Sequence, residues 1–138
     1  MEEIRNYALL RQVFELACIE SAKELSLTKL QNSLNSGTVP TIKTYLTILD
    51  QTMTVKPLQK YSPSVIREKS SVPKLQVYNS GFRNRYVQHT FEQALTNQTE
   101  WGRQVESAVG AHLANHSILD GFELMYWRNE HKLECDYV

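Results

Sequence analysis

The sequence is poor in the residues that staple, span or cradle. It holds two cysteines, Cys18 and Cys135, in different kinds of segment, which reads as reduced thiols and excludes a disulfide-dense scaffold. No apolar run reaches the roughly 20 residues that a membrane helix needs. The first residues, MEEIRNYALL, are acidic, unlike a secretory leader. The expectation is a cytoplasmic protein that makes no membrane contact. With five glycines in all, the chain has no Gly-rich turn followed by Gly-Lys-Ser/Thr, so the P-loop of a nucleotide hydrolase is missing. No serine, histidine and aspartate group as a triad, and there is no repeat or low-complexity stretch.

What is present suits a folded chain. Of 138 residues, 41% are hydrophobic and 22% charged, which is a core-forming and not a disordered composition. The length suits one ordinary domain, or a small domain with part of another. The zero net charge conceals a division. Residues 1–39 carry −1, residues 40–90 carry +6, and residues 91–138 carry −5, with three Lys/Arg against eight Asp/Glu. A basic middle attracts phosphate; an acidic end holds a metal or is a solvated surface.

The stretch TVPTIKTYLTILDQ organises the first half. Thr38 precedes the apolar-periodic run as an N-cap, and Pro40 falls in the first turn, where its missing N–H costs nothing. Val39, Ile42, Leu46 and Leu49 form one stripe at helical spacing. The other side offers Thr41, Lys43, Thr44, Thr47 and Gln51, with no carboxylate. Upstream, YALLRQVFELACI predicts an amphipathic helix with Leu9, Val13, Leu16 and Ala17 on one side. Residues 20–25 read as a connection. Ser26 caps a second helix on Leu27, Leu30 and Leu34, which Asn35-Ser36-Gly37 ends, with Gly37 free for the left-handed cap. Downstream, Met53, Val55 and Leu58 alternate as a strand, an edge one because of Pro57. A basic, turn-rich loop follows, then a returning strand with Leu75 and Val77 on one side and Lys74 and Gln76 on the other. Three helices and a hairpin with a long basic tip predict a winged helix over residues 1–81.

Residues 82–138 differ in character. RNRYVQHTFEQAL predicts one helix with Tyr86, Val87, Phe91 and Leu95 inward, and Thr99 caps another with Val105, Val109 and Leu113 inward. FELMYWR and KLECDYV predict two strands joined at Asn129-Glu130-His131. The fold class expected is α+β: a winged helix-turn-helix, then two helices and a C-terminal β-hairpin.

The runs VPTIKTYLTILDQTMTVKPLQKYSP, PKLQVYNSGF, WGRQVESAVGAHL and LMYWRNEHKLECDYV, in that order, resemble an uncharacterised C-terminal domain family of prokaryotic AAA-type P-loop ATPases. There a winged helix leads into a segment related to the PD-(D/E)xK restriction-endonuclease-like fold. The resemblance implies that Glu106 is the acidic residue on the first helix of the nuclease-like core. It also implies that Asp136, in Glu134-Cys135-Asp136, is the aspartate after the second strand. Where that family usually has aspartate, this chain has Asn79. The strand that would supply a second carboxylate and a lysine does not follow, so the chain is expected to be a fragment, truncated at both ends, with an incomplete nuclease-like fold. Mg²⁺ is implied only if a complete site is assembled, because phosphodiester hydrolysis needs two or three carboxylates around a hard cation.

Chemistry is therefore sought mainly in binding. Thr41, Lys43, Thr44 and Thr47 are candidates for a nucleic-acid surface, with Lys56, Lys60, Arg67, Lys69 and Lys74 for phosphates. A recognition helix with one lysine and no arginine is a weak reader, and such modules also dock proteins. His112 and His116, four apart with Asp120 beyond, are read as a surface pair and not as metal ligands. Cys18 is expected in the core. Cys135, between Glu134 and Asp136, is disfavoured as a thiolate. Trp101, Tyr126 and Trp127 are expected to fill core or interface. The function expected is a non-enzymatic module contacting DNA or a partner protein. A complemented metal-dependent nuclease-like domain and a docking or oligomerisation element for an ATPase stand as alternatives. An unpaired C-terminal hairpin would form a homodimer or pack back on the winged helix.

Overall fold

Asn6, Ser26 and Thr38 each precede an apolar-periodic run, and each caps a helix. Their side chains accept from the backbone N–H of Leu9, Lys29 and Thr41 at 2.9, 3.1 and 3.3 Å. Such a cap is worth about 1 kcal/mol. The helices that follow are α1 (Tyr7–Ile19), α2 (Leu27–Leu34) and α3 (Val39–Gln51). The computed structural model describes residues 4–64 and 72–138, and among these residues it is an α+β fold with six helices and two antiparallel sheets. The three helices close on a core that contains Leu9, Val13, Leu30, Ile42, Leu46 and Leu49. Tyr45 is buried with them, its hydroxyl accepting from the N–H of Asn6 at 3.1 Å, while Val39 is only half-buried. The left-handed cap of α2 falls on Asn35 (φ 48°) and not on Gly37. Gly37 takes φ 76° where the chain passes so close to Leu9 that a Cβ would overlap its side chain.

Strands β1 (Lys23–Glu24), β2 (Val55–Leu58) and β3 (Lys74–Val77) form an antiparallel sheet in the order β1-β3-β2. The connection expected over 20–25 thus contains a strand, which Ala22 turns into the sheet with φ 68°. Pro57 lies on an edge strand, where its missing N–H breaks no ladder. In this register Val55, Leu75 and Val77 face the three-helix core, and Leu58, Lys74 and Gln76 face the other way. That second side is not solvated: all four residues of β3 are buried.

The second half covers it. The helix expected over 83–95 is two, α4 (Ser80–Tyr86) and α5 (Phe91–Thr96). The backbone is extended at Val87, and Thr90 with Gln93 forms a capping box that starts a new helix. Phe91 and Leu95, expected inward, are exposed. Helix α6 (Gln98–Asp120) is capped by Asn97 and not by Thr99, and ends on Gly121 at φ 71°. Val105 and Val109, expected inward, point to solvent; Ser107, Gly110, Ala111, Ala114 and Ser117 face the protein. The hairpin β4 (Trp127–Arg128) and β5 (Glu134–Cys135) packs back on the sheet, through a bridge between Lys60 and Tyr126. Tyr126 exchanges backbone bonds with Gln59 and Tyr61 (3.1 and 2.7 Å), and Leu58, Tyr78, Ala114, Leu124 and Tyr126 make a second core.

Gly110 sits where α6 crosses β3, and a Cβ there would overlap the Gln76 amide and the Tyr137 hydroxyl. Gly102, on the same helix, has nothing within 4 Å of such an atom. Glycine to alanine inside a helix ordinarily gains about 1 kcal/mol. Gly102→Ala should show that gain in urea denaturation, whereas Gly110→Ala should lose about 1–3 kcal/mol through overpacking.

Candidate functional site

On α3 the buried stripe fixes which side chains face out. Lys43 and Thr47 are exposed, and Thr41 and Thr44 are half-buried. The Thr47 hydroxyl donates to the Lys43 carbonyl at 3.1 Å, leaving its oxygen as an acceptor. Asp50, the acidic residue of α3, accepts from the Tyr78 hydroxyl at 2.9 Å. Lys56 lies 5.9 Å from the centre of the Tyr78 ring. Lys60 is half-buried, bridged by backbone to Tyr126. Arg67 and Lys69 lie outside the described residues.

Lys74 belongs elsewhere. Expected on the surface beside phosphates, it is buried at 5% exposure, with its Nζ 2.6 Å from Glu106 and 2.9 Å from Asp136. Its register position on β3 aims it at α6, and the C-terminal segment closes over it. The Tyr137 ring lies 5.1 Å from Nζ, and its hydroxyl donates toward the Glu106 carbonyl (2.8 Å) and the Gln76 side-chain oxygen (3.0 Å). The Gln76 amide donates to the carbonyls of Val77 and Ser107, and Ser107 shares a hydroxyl bond with Ser21. Burial raises the Glu106 carboxyl above its ordinary value; Lys74 pulls it down and the adjacent Asp136 pushes it up. Burial likewise pushes the Tyr137 phenol up. A cleft of about 350 Å³ opens here, its walls including Lys23, Glu24, Arg103, Arg128 and Glu134.

The structure therefore brings together Glu106 and Asp136, the pair that the resemblance singled out, with a lysine between them. They do not fit a magnesium ion in this arrangement. An ammonium already bonds both carboxylates, and no group of three His, Cys, Asp or Glu suited to a metal occurs among the described residues. The rings of His112 and His116 lie 4.4 Å apart, tilted at 53°, and His116 meets Asp120 at 3.3 Å at the surface. Cys18 is buried in the first core, which pushes its thiol up to about 12, and Cys135 is exposed. Tyr126 is buried, Trp127 half-buried and Trp101 exposed. Asn79 caps α4 by accepting from the Gly81 N–H at 2.8 Å. Arg83, from the basic middle, is buried against Glu100 and Gln104. The residues that sequence reasoning missed are Gln76, Ser107, Ser21 and Tyr137. The one signal among them was Gln76, a polar residue alternating in a strand, which more often marks a solvated side.

The fold and site define a small α+β protein whose central strand joins two packed halves. A family described as a domain of unknown function, DUF8612, matches residues 1–93, and the chain belongs to it. No curated protein and no solved structure matches the chain.

Two outcomes follow at this cluster. Lys74→Met leaves two carboxylates facing each other without their cation, and should cost about 3–5 kcal/mol in urea denaturation at pH 7. Because the Glu106 carboxyl is raised on folding, the stability it contributes is full below its unfolded value of 4.5 and is lost as pH rises through the folded value. The stability of the native protein minus that of Glu106→Gln should then be larger at pH 4.5 than at pH 7.5. A difference that grows with pH would contradict the raised carboxyl.

Proposed function

We propose that residues 1–81 act as a winged helix that binds duplex DNA, and that the chain is a non-enzymatic binding module related to the C-terminal regions of AAA-type ATPases. The observation that carries this reading is the outward side of α3. Ile42, Tyr45, Leu46 and Leu49 hold the helix to the core, while Lys43 and Thr47 stand exposed, and Asp50, the one carboxylate of the helix, is half-buried and accepts from the Tyr78 hydroxyl. The succession helix, strand, helix, helix, strand, strand, with sheet order β1-β3-β2, supports the winged-helix assignment. Lys29, exposed on α2, which packs against α3, adds a second cation to this helix pair. Threonine hydroxyls and lysines suit phosphate oxygens better than base edges, so the binding is mostly independent of sequence.

One observation favours a second reading, a complemented metal-dependent nuclease-like domain: Glu106 and Asp136 meet at one point. Lys74 between them weighs against it, and the DNA-binding module is preferred.

Anisotropy of a labelled 20-base-pair duplex tests the preferred reading. Binding should weaken on the order of tenfold or more between 50 and 200 mM salt. Lys43→Ala should weaken it further and lower the slope of log K against log salt by about 1. No binding at 50 mM salt, or an unchanged slope in Lys43→Ala, would hand the α3 surface to protein docking instead.

A further inference from the structure

Helix α6 is 23 residues long and turns its small residues toward the protein. Its opposite side carries Trp101, Val105 and Val109 at i, i+4 and i+8, which are 40%, 44% and 47% exposed. His112 and His116 continue the same line, so from 101 to 116 it holds no Lys, Arg, Asp or Glu. A helix side facing water is normally where the charge is placed, and an uncharged apolar line there marks a contact surface. Tyr137, from the C-terminal segment, raises a wall beside it. The result is a groove of about 560 Å³ lined by Trp101, Gly102, Val105, Val109 and Tyr137, with Glu106 and Asp136 on its rim. At Gly102 a Cβ would meet only open space, so a partner backbone can approach closely there.

Charge says what fits. The rim holds two carboxylates against the single ammonium of Lys74. Asp120 and Glu123 stand exposed toward the far end of the helix, where the helix dipole is also negative. Residues 91–138 as a whole carry −5. A second copy offering the same surface would bring like charge against like, which disfavours a symmetric dimer here. Apolar anchors at helical spacing, with Glu106 and Asp136 along one border and Asp120 and Glu123 beyond the end, match a helix with an apolar stripe flanked by Lys or Arg.

We propose that the groove along α6 is the docking surface for a basic amphipathic helix of a partner protein. Two labelled 14-residue amphipathic peptides test it on the full chain by anisotropy, one built of Leu and Lys and the other of Leu and Glu. The Leu/Lys peptide should bind at least tenfold tighter than the Leu/Glu peptide, and at least tenfold weaker to Val105→Asn and Val109→Asn. Both substitutions are on the solvent side, and an unchanged circular dichroism spectrum verifies the fold. Lys43→Ala should leave this binding unaltered, which separates it from the DNA reading. Equal affinity for the two peptides, or no effect of either asparagine, would overturn the proposal. So would self-association without peptide that Val109→Asn abolishes, since the groove would then belong to a second copy.

Discussion

A lysine and a glutamine on the covered side of the central strand constrain the rest of the molecule. Lys74 and Gln76 both face α6, and neither can be left there unpaired, since a buried ammonium or amide without partners costs several kcal/mol. Their partners come from far along the chain: Glu106 and Ser107 on α6, and Asp136 and Tyr137 at its end. The second half is thus held to the first by polar bonds as much as by the small second core. It also explains why α6 is built of serine, glycine and alanine where it crosses β3. The bulk in that layer is supplied by Gln76 and Tyr137, and the helix must come close enough to bond them.

The same bonds rearrange the electrostatics. Read along the sequence, residues 40–90 are strongly basic and residues 91–138 strongly acidic. In the fold, part of each is spent on the other: Lys74 on Glu106 and Asp136, and Arg83 on Glu100. Arg128 and Glu24 add a bridge across the halves in the opposite sense, at 3.1 Å. The division of charge at the surface of the described residues is therefore weaker than the sequence count suggests.

What could be read in advance divides along one physical line, between local and distant causes. The bounds of α1 and α3 and the start of α2 were legible because caps, a first-turn proline and the 3.6-residue period act within a few residues of themselves. The break at Val87 was also local, written as Thr90 and Gln93, but the apolar period running across it hid that signal. By contrast, Tyr45 is buried because Asn6 and the rest of the core lie against it, and β1 exists because β3 lies beside it. The orientation of α6 was the hardest to foresee. Its exposed valines, Val105 and Val109, are larger than its buried alanines, Ala111 and Ala114, and the close crossing with β3 reverses which side goes in. At the site, Glu106 and Asp136 both bond one ammonium, and this third member, Lys74, was assigned to the surface because strand alternation looked half-solvated.

That third member decides what the carboxylate pair is for. A lysine on the chain competes with any dissolved cation at an advantage, since it is tethered within reach and its pairing immobilises no second molecule. It also leaves the pair short of the charge that a divalent ion would balance, and it holds both oxygens at hydrogen-bond distance, 2.6 and 2.9 Å. To admit a metal, the ammonium would have to leave the interior, and the strand that carries it is the centre of the sheet. The cost of that move falls on the whole fold, through Gln76, Tyr137 and the α6 crossing. The cluster therefore ties the two halves together.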